Sequence, residues 1–378
     1  MTTFLLIAGF PDSLLTFRGP LLDALLARGL TVHVAAPDLP AGSDLHRRLL
    51  GRGLVAHEIP LRRAGMNPLA DLRLLLCLWR LLRRIRPDVV LAYTIKPVIY
   101  ASLAAWLART PRRFALITGL GYAFRNSGAA NGELNPGGWL RSLAQGLYRL
   151  ALRRVDKTFF QNPDDEALLR RLGVLAPQAT SVVVNGSGVD LAEYAVAPMP
   201  AAPHFLLIAR LLGDKGVREY AEAARRLRRQ HPQARFSLVG WIDDSPTAIA
   251  QPELDAWVAE GALEFLGRLA DVRPAIAAAS VYVLPSYHEG TPRTVLEAMA
   301  MGRAIITTDA PGCRETVVDG DNGLLIPVRS VPALADAMAR FITEPGLAER
   351  MGRRSRQIAE EKYDVRKVNA AMLREMGI

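Results

Sequence analysis

Short apolar runs separated by helix-period stretches recur along nearly the whole chain, and this alternation constrains the fold more than any other feature. A parallel strand pair needs a crossover of a dozen or more residues, usually a helix, so the pattern specifies parallel α/β architecture. In the first half the strand candidates are Phe4–Phe10, Thr31–Ala36, Leu54–Ile59, Asp88–Tyr93, Phe114–Thr118, Thr158–Gln161 and Ser181–Val184. Ala197-Pro198-Met199-Pro200-Ala201-Ala202-Pro203 then reads as a linker. After it the alternation restarts, with strands expected at His204–Ala209, Arg235–Val239, Leu263–Leu266, Val281–Pro285, Ala304–Thr308 and Leu324–Pro327. Two successive Rossmann-like units are expected, residues 1–195 and 196–362, with a C-terminal helix at about 363–378 packing back on the first. Such a pair implies a central cleft, with ligands beyond the carboxyl ends of the strands.

A chain of 378 residues, half of them hydrophobic, is long enough for two cores. Its charge is unevenly placed. Residues 1–195 carry 24 Lys/Arg against 14 Asp/Glu, and the remainder carries 23 against 23, so the whole excess of +10 belongs to the first half. That asymmetry suits an anionic partner for the first domain: a phospholipid surface, a diphosphate or a nucleic acid. No recognised nucleic-acid motif and no array of aromatics among the arginines supports the last of these. The two cysteines, Cys77 and Cys313, suggest a reducing cytosol. The opening MTTFLLIAGFPDS lacks a basic n-region and reads as a buried strand. No run approaches a spanning helix, so membrane contact would be peripheral. Residues 69–86 place Arg73, Arg80 and Arg84 on one helical stripe beside Leu72, Leu75, Leu76, Trp79 and Leu82. Two readings fit: a helix lying in a membrane interface, or a core helix with a solvated arginine face.

The strongest chemical signal is Pro285-Ser286-Tyr287-His288-Glu289-Gly290-Thr291-Pro292-Arg293-Thr294-Val295-Leu296-Glu297-Ala298-Met299-Ala300. It follows an apolar strand and opens a helix. Glu289 sits in the loop and Glu297 about one turn into the helix, which offers acceptors for hydroxyls of one ligand. The helix N-terminus between them offers N–H groups and a positive dipole end for phosphate. A sugar nucleotide has hydroxyls at both ends and a diphosphate between them.

Glu289-x7-Glu297 followed by Ala298-Met299-Ala300 resembles the signature of the retaining family 4 glycosyltransferases, which have the GT-B fold. Arg210-Leu211-Leu212-Gly213-Asp214-Lys215-Gly216, Asn185-Gly186-Ser187-Gly188-Val189-Asp190, Phe265-Leu266-Gly267-Arg268 and Pro311-Gly312-Cys313-Arg314-Glu315 fall in the family's order. The resemblance implies that Arg210 and Lys215 neutralise the donor diphosphate and, with Glu289, carry the catalysis. It implies that Glu297 holds ribose hydroxyls and Glu289 donor-sugar hydroxyls. Arg268 would meet the nucleobase. Gly290 would line the donor site, and Thr294, Val295 and Leu296 would offer backbone N–H groups to phosphate. Arg293, where many members have a different sequence, adds a phosphate contact or faces solvent. Asp319-Gly320-Asp321 looks like a metal-binding D-x-D but reads as a turn, and no metal or other cofactor is expected.

Thr16-Phe17-Arg18-Gly19-Pro20-Leu21, Tyr93-Thr94-Ile95-Lys96-Pro97, Ile117-Thr118-Gly119-Leu120-Gly121-Tyr122 and the Gly-Thr-Pro-Arg form of the signature are similar to bacterial transferases that extend undecaprenyl-diphosphate-linked sugars. Within that group the match is to the N,N′-diacetylbacillosaminyl-diphospho-undecaprenol α-1,3-N-acetylgalactosaminyltransferases. The similarity implies a UDP-N-acetylhexosamine donor, a polyprenyl-diphosphate-linked sugar acceptor and work at the cytoplasmic face of the inner membrane. Arg18, Gly19, Lys96, Thr118 and Gly119 would then meet the acceptor's phosphates, Lys96 having a surface helix-start as its other reading. A transferase with a soluble acceptor and a sugar-nucleotide 2-epimerase are the rival readings.

Overall fold

The computed structural model describes residues 1–62, 67–120, 138–243, 245 and 247–378. The chain divides into two compact units, Met1–Val184 with Asn369–Ile378, and Asn185–Val368.

The first unit is built on a seven-stranded parallel sheet ordered β3-β2-β1-β4-β5-β6-β7. Its strands are β1 Thr3–Ile7, β2 Thr31–Ala36, β3 Val55–Glu58, β4 Val89–Tyr93, β5 Arg112–Ile117, β6 Lys157–Phe160 and β7 Ser181–Val183. Strand side chains alternate between faces with period two. Leu5, Ile7, Val90 and Ala92 face a core with Leu74, Leu78, Leu82, Val98 and Tyr148, while Phe4, Leu6, Val89 and Leu91 face one with Leu21, Leu22, Leu25, Met372 and Leu373. The last contacts come from the helix Val365–Glu375, whose end is also tied to the sheet by Lys157 and Glu375, 2.7 Å apart. The strand order reverses between β1 and β4, the switch point of this sheet.

The second unit has a six-stranded parallel sheet ordered β10-β9-β8-β11-β12-β13. Its strands are β8 His204–Arg210, β9 Arg235–Trp241, β10 Glu264–Phe265, β11 Val281–Leu284, β12 Ala304–Thr308 and β13 Gly323–Ile326. Its switch point lies between β8 and β11. The Pro-rich stretch belongs to this unit. The buried Arg303 holds it, donating to the carbonyls of Ala197 and Pro198 at 3.1 and 2.9 Å.

The helix Pro68–Ile85 shows how the apolar stripe of residues 69–86 is divided. Asn67 caps it, accepting from Leu69 and Ala70 N–H at 3.1 Å. Leu74, Leu78, Leu81 and Leu82 are buried against the sheet, and Leu75 is partly packed. Leu69, Leu72, Leu76 and Trp79 are exposed, next to exposed Arg73, Arg80, Arg83 and Arg84. The helix is therefore both a core helix and the bearer of an apolar, basic outer face. No described helix is long and apolar enough to cross a membrane.

Candidate functional site

The expected donor-site residues of the second unit gather at the carboxyl ends of β8, β9 and β11. Arg210 ends β8 and pairs in register with Trp241, which ends β9. Lys215 closes the short turn Gly213–Lys215 that follows. The signature loop leaves β11 at Leu284 and enters the helix Arg293–Ala300. Main-chain bonds fasten these loops to one another. The Asp214 carbonyl accepts from Tyr287 N–H at 2.9 Å and from the Ser286 hydroxyl at 3.2 Å, and Glu289 N–H donates to Pro311 O at 2.9 Å. Two glycines make this approach possible. At Gly216, with φ +70°, an added Cβ would lie 2.2 Å from Pro285 O; at Gly312, with φ +80°, 2.1 Å from Glu289 O. No side chain fits at either.

The result is an ion pair at the centre. Lys215 Nζ lies 2.5 Å from Glu289 Oε1, with both side chains mostly shielded. Arg210 meets Asp243 at 3.0 Å in a more open setting. Glu297 is almost wholly buried. Burial pushes its carboxyl above the usual range, while the Arg293 guanidinium, 2.7 Å away, and a hydrogen bond from Tyr194 pull it back. Thr294 Oγ1 accepts from the buried Tyr282 hydroxyl at 2.6 Å. Arg268 lies over the half-exposed Trp241 ring, 4.8 Å from its centroid. Gly290 is buried, and an added Cβ at Gly312 would also press its carbonyl.

Several expectations change in detail. Pro292 O accepts from both Val295 and Leu296 N–H, at 3.1 and 3.3 Å. Of the three expected backbone phosphate donors, only Thr294 therefore lies ahead of the first helical bonds. The Arg293 side chain turns onto Glu297 rather than standing in solvent. In Asp319-Gly320-Asp321, Asp319 Oδ1 accepts from Leu325 N–H at 2.9 Å within the turn, and Asp321 pairs at 2.8 Å with Arg354 of the helix Leu347–Ile358.

In the first unit the expected acceptor residues cluster beyond the carboxyl ends of β1, β4 and β5, but not as surface groups. Arg18, expected to meet a phosphate, is buried, its guanidinium 5.2 Å from the Tyr93 ring centroid, and its N–H donates to Ser13 O at 3.2 Å. Gly19 is buried at the start of the helix Gly19–Ala27. Lys96 pairs with the buried Asp71 at 3.2 Å, which overturns the surface-lysine reading. Thr94, which follows Tyr93 in the chain, holds φ +69°, strained for a β-branched residue. Thr118 and Gly119 follow β5, half-buried. Gly121 and Tyr122 lie outside the described residues.

Comparison with known proteins decides the family. Residues 202–344 match the family model for glycosyl transferases group 1, and residues 18–186 match that of the glycosyl transferase 4-like domain. The chain is a glycosyltransferase of this family. The N,N′-diacetylbacillosaminyl-diphospho-undecaprenol alpha-1,3-N-acetylgalactosaminyltransferase of Campylobacter jejuni is 29% identical over 367 residues, 93% of this chain and 92% of that protein. The alpha-D-kanosaminyltransferase of Streptomyces kanamyceticus is 29% identical over 47% of this chain and 46% of its own length. Among solved structures, the sucrose-phosphate synthase of Thermosynechococcus elongatus superimposes with a TM-score of 0.79 at 19% identity, over 99% of this glycosyltransferase and 98% of that chain. HepE of Anabaena in complex with UDP does so at 0.76 and 18% identity, over 100% of both chains. The glycosyltransferase thus has the GT-B fold.

Tyr194, Asp243 and Trp241 were not legible as site residues. Each touches an expected residue only through the fold, and no local motif marks them.

Proposed function

We propose that this glycosyltransferase moves an N-acetylhexosamine, N-acetylgalactosamine for preference, from a UDP-sugar to an undecaprenyl-diphosphate-linked sugar, with retention at the anomeric carbon. The observation that carries the donor half of this reading is the Lys215–Glu289 pair, set beside Arg210 and the N-terminus of the helix Arg293–Ala300. Cations so placed meet the negative charge that grows on a departing diphosphate. An ammonium has three donors, so Lys215 keeps Glu289 on one and offers the others to phosphate. Arg210 is readily released to the ligand, because its partner Asp243 holds it in an exposed pair worth about 0–1 kcal/mol. Glu289 accepts from hydroxyls of the donor sugar and Glu297 from the ribose. The acceptor hydroxyl bonds to the anomeric carbon as the bond from that carbon to the diphosphate oxygen breaks, and the diphosphate oxygen takes the proton. No metal takes part in this scheme.

The acceptor half rests on the similarity to the Campylobacter protein and on the charge of the first 195 residues. The outer face of the helix Pro68–Ile85, with its exposed leucines, Trp79 and arginines, suits an anionic bilayer at the cytoplasmic face of the inner membrane. The protein would act there peripherally, in bacterial glycan assembly, and without nucleic acid as a partner.

The test is direct. The purified protein is incubated in EDTA with UDP-GalNAc, UDP-GlcNAc or UDP-glucose and a polyprenyl-diphosphate-linked N-acetylated sugar, and the acceptor is weighed by mass spectrometry. Gain of one N-acetylhexosamine from a single donor is expected. No gain in acceptor mass with any donor would move the reading to a soluble acceptor, and turnover of the UDP-sugar without an acceptor to the 2-epimerase.

A further inference from the structure

Glu297 is an uncomfortable hydroxyl acceptor. Its side chain is 7% exposed, and a carboxyl so buried drifts toward its neutral form. A neutral carboxyl presents a donor and a weaker acceptor, which suits a ribose diol poorly. The fold answers from two sides. Arg293, one helical turn earlier and 20% exposed, places its Nε–H 2.7 Å from Oε1. Tyr194 reaches the same carboxylate from the segment that follows Asn185–Asp190, and is itself buried. Tyr194 is in turn held in place. Its N–H donates to Asp190 O at 2.9 Å, and its carbonyl accepts from Arg356 at 3.1 Å.

We propose that Arg293 and Tyr194 are positioning residues that keep Glu297 ionised and aim its carboxylate at the ribose diol of the nucleotide. This rests on the reading of Glu297 as part of the donor site. Arg293 then acts through Glu297 and not on phosphate.

The other charged groups around the carboxylate do not supply this function. The Tyr282 hydroxyl, on β11, is engaged by Ile208 O and the Thr294 hydroxyl. Glu193 is a like charge that opposes ionisation, and its own neighbour is Arg273. Arg356, on the helix Leu347–Ile358, is engaged by the carbonyls of Tyr194 and Ala300 and by Glu360. Removing Arg293 therefore leaves Glu297 buried beside a like charge, and its proton affinity rises. Ribose binding should then require a higher pH.

The experiment is calorimetric titration of UDP and of 2′-deoxy-UDP into wild type, R293Q, R293K and Y194F at pH 6, 7 and 8. Wild type should prefer UDP at every pH. R293Q should bind UDP about tenfold more weakly than wild type at pH 6, the loss that follows when about nine in ten Glu297 carboxyls are protonated, and recover most of it by pH 8. Its affinity for 2′-deoxy-UDP should stay near that of wild type. Y194F should follow in the same direction with a smaller effect, and R293K, which keeps the charge, should restore the wild-type profile. Equal losses for both nucleotides at every pH would overturn the proposal and make Arg293 a phosphate ligand. A pH-independent loss for UDP alone would also overturn it, because the protonation state would then play no part. UDP bound without preference over 2′-deoxy-UDP by wild type would remove Glu297 from the ribose, while no binding of UDP at all would instead sink the donor-site reading beneath it.

Discussion

Lys215 and Glu289, 74 residues apart in sequence, meet at 2.5 Å because the turn after β8 and the loop after β11 share main-chain bonds through Asp214 and Tyr287. The pair belongs to the loops rather than to the sheet beneath them. Lys215→Ala should therefore lower transfer by about 100-fold or more, the scale of losing one preorganised electrostatic contact, while the thermal unfolding curve keeps its cooperative shape. Steady-state kinetics beside a thermal melt checks this, and near-normal turnover in Lys215→Ala would remove the residue from the site.

Arg210 and Asp243 offer a milder test. Asp243→Asn should tighten UDP binding by up to about fivefold, since it releases Arg210 from a pair worth about 0–1 kcal/mol. Arg210→Ala should weaken UDP binding. Isothermal titration reads both, and weaker binding in Asp243→Asn would mean that Asp243 holds Arg210 in its productive place.

For the membrane face, Arg73, Arg80 and Arg83 together should contribute about 3 kcal/mol to anionic bilayer binding, roughly 1 kcal/mol each. Changing all three to Glu should abolish flotation with vesicles containing phosphatidylglycerol. Leu72→Ser with Trp79→Ser should remove the part of the binding that survives high salt. Unchanged flotation in both variants would clear the helix Pro68–Ile85 of this role.

On β2 and β3, His33 Nδ1 and His57 Nε2 lie 2.8 Å apart. Burial, with His33 and Arg84 adding positive charge nearby, pulls His57 down to about 4, and burial lowers His33 as well. Each neutral histidine thus stabilises the fold above its ordinary value of 6.5, and the contribution fades as pH falls toward 4. Melting temperature should decline through that window, and His57→Gln should flatten the decline. A melting temperature that does not change between pH 6.5 and 4 would contradict this.

Strand positions were legible wherever an apolar run met its own boundary residues. Thr31–Ala36 and Ala304–Thr308 are strands over those residues, because Gly and Pro punctuate them. Phe4–Phe10 ends early, at Ile7, because the chain must turn at Gly9, where an added Cβ would stand 2.3 Å from the Thr94 hydroxyl. That neighbour follows β4, at the cap of the helix Ile95–Leu107, and leaves no trace near residue 9.

The amino-acid sequence by itself determined two parallel α/β units and the pattern of Glu289, Glu297, Arg210 and Lys215, since periodicity and a spaced motif are local properties of a chain. It also concentrated the positive charge in the first 195 residues. Only the tertiary structure decided what those groups touch. Arg18, countable as one more surface charge, is buried over Tyr93, and Lys96 is bound to Asp71. Glu297 gains Tyr194, a partner more than a hundred residues earlier in the chain. Pairing and burial set whether a charge is available to a ligand, and both arise when distant segments pack, so neither is written in the neighbouring residues.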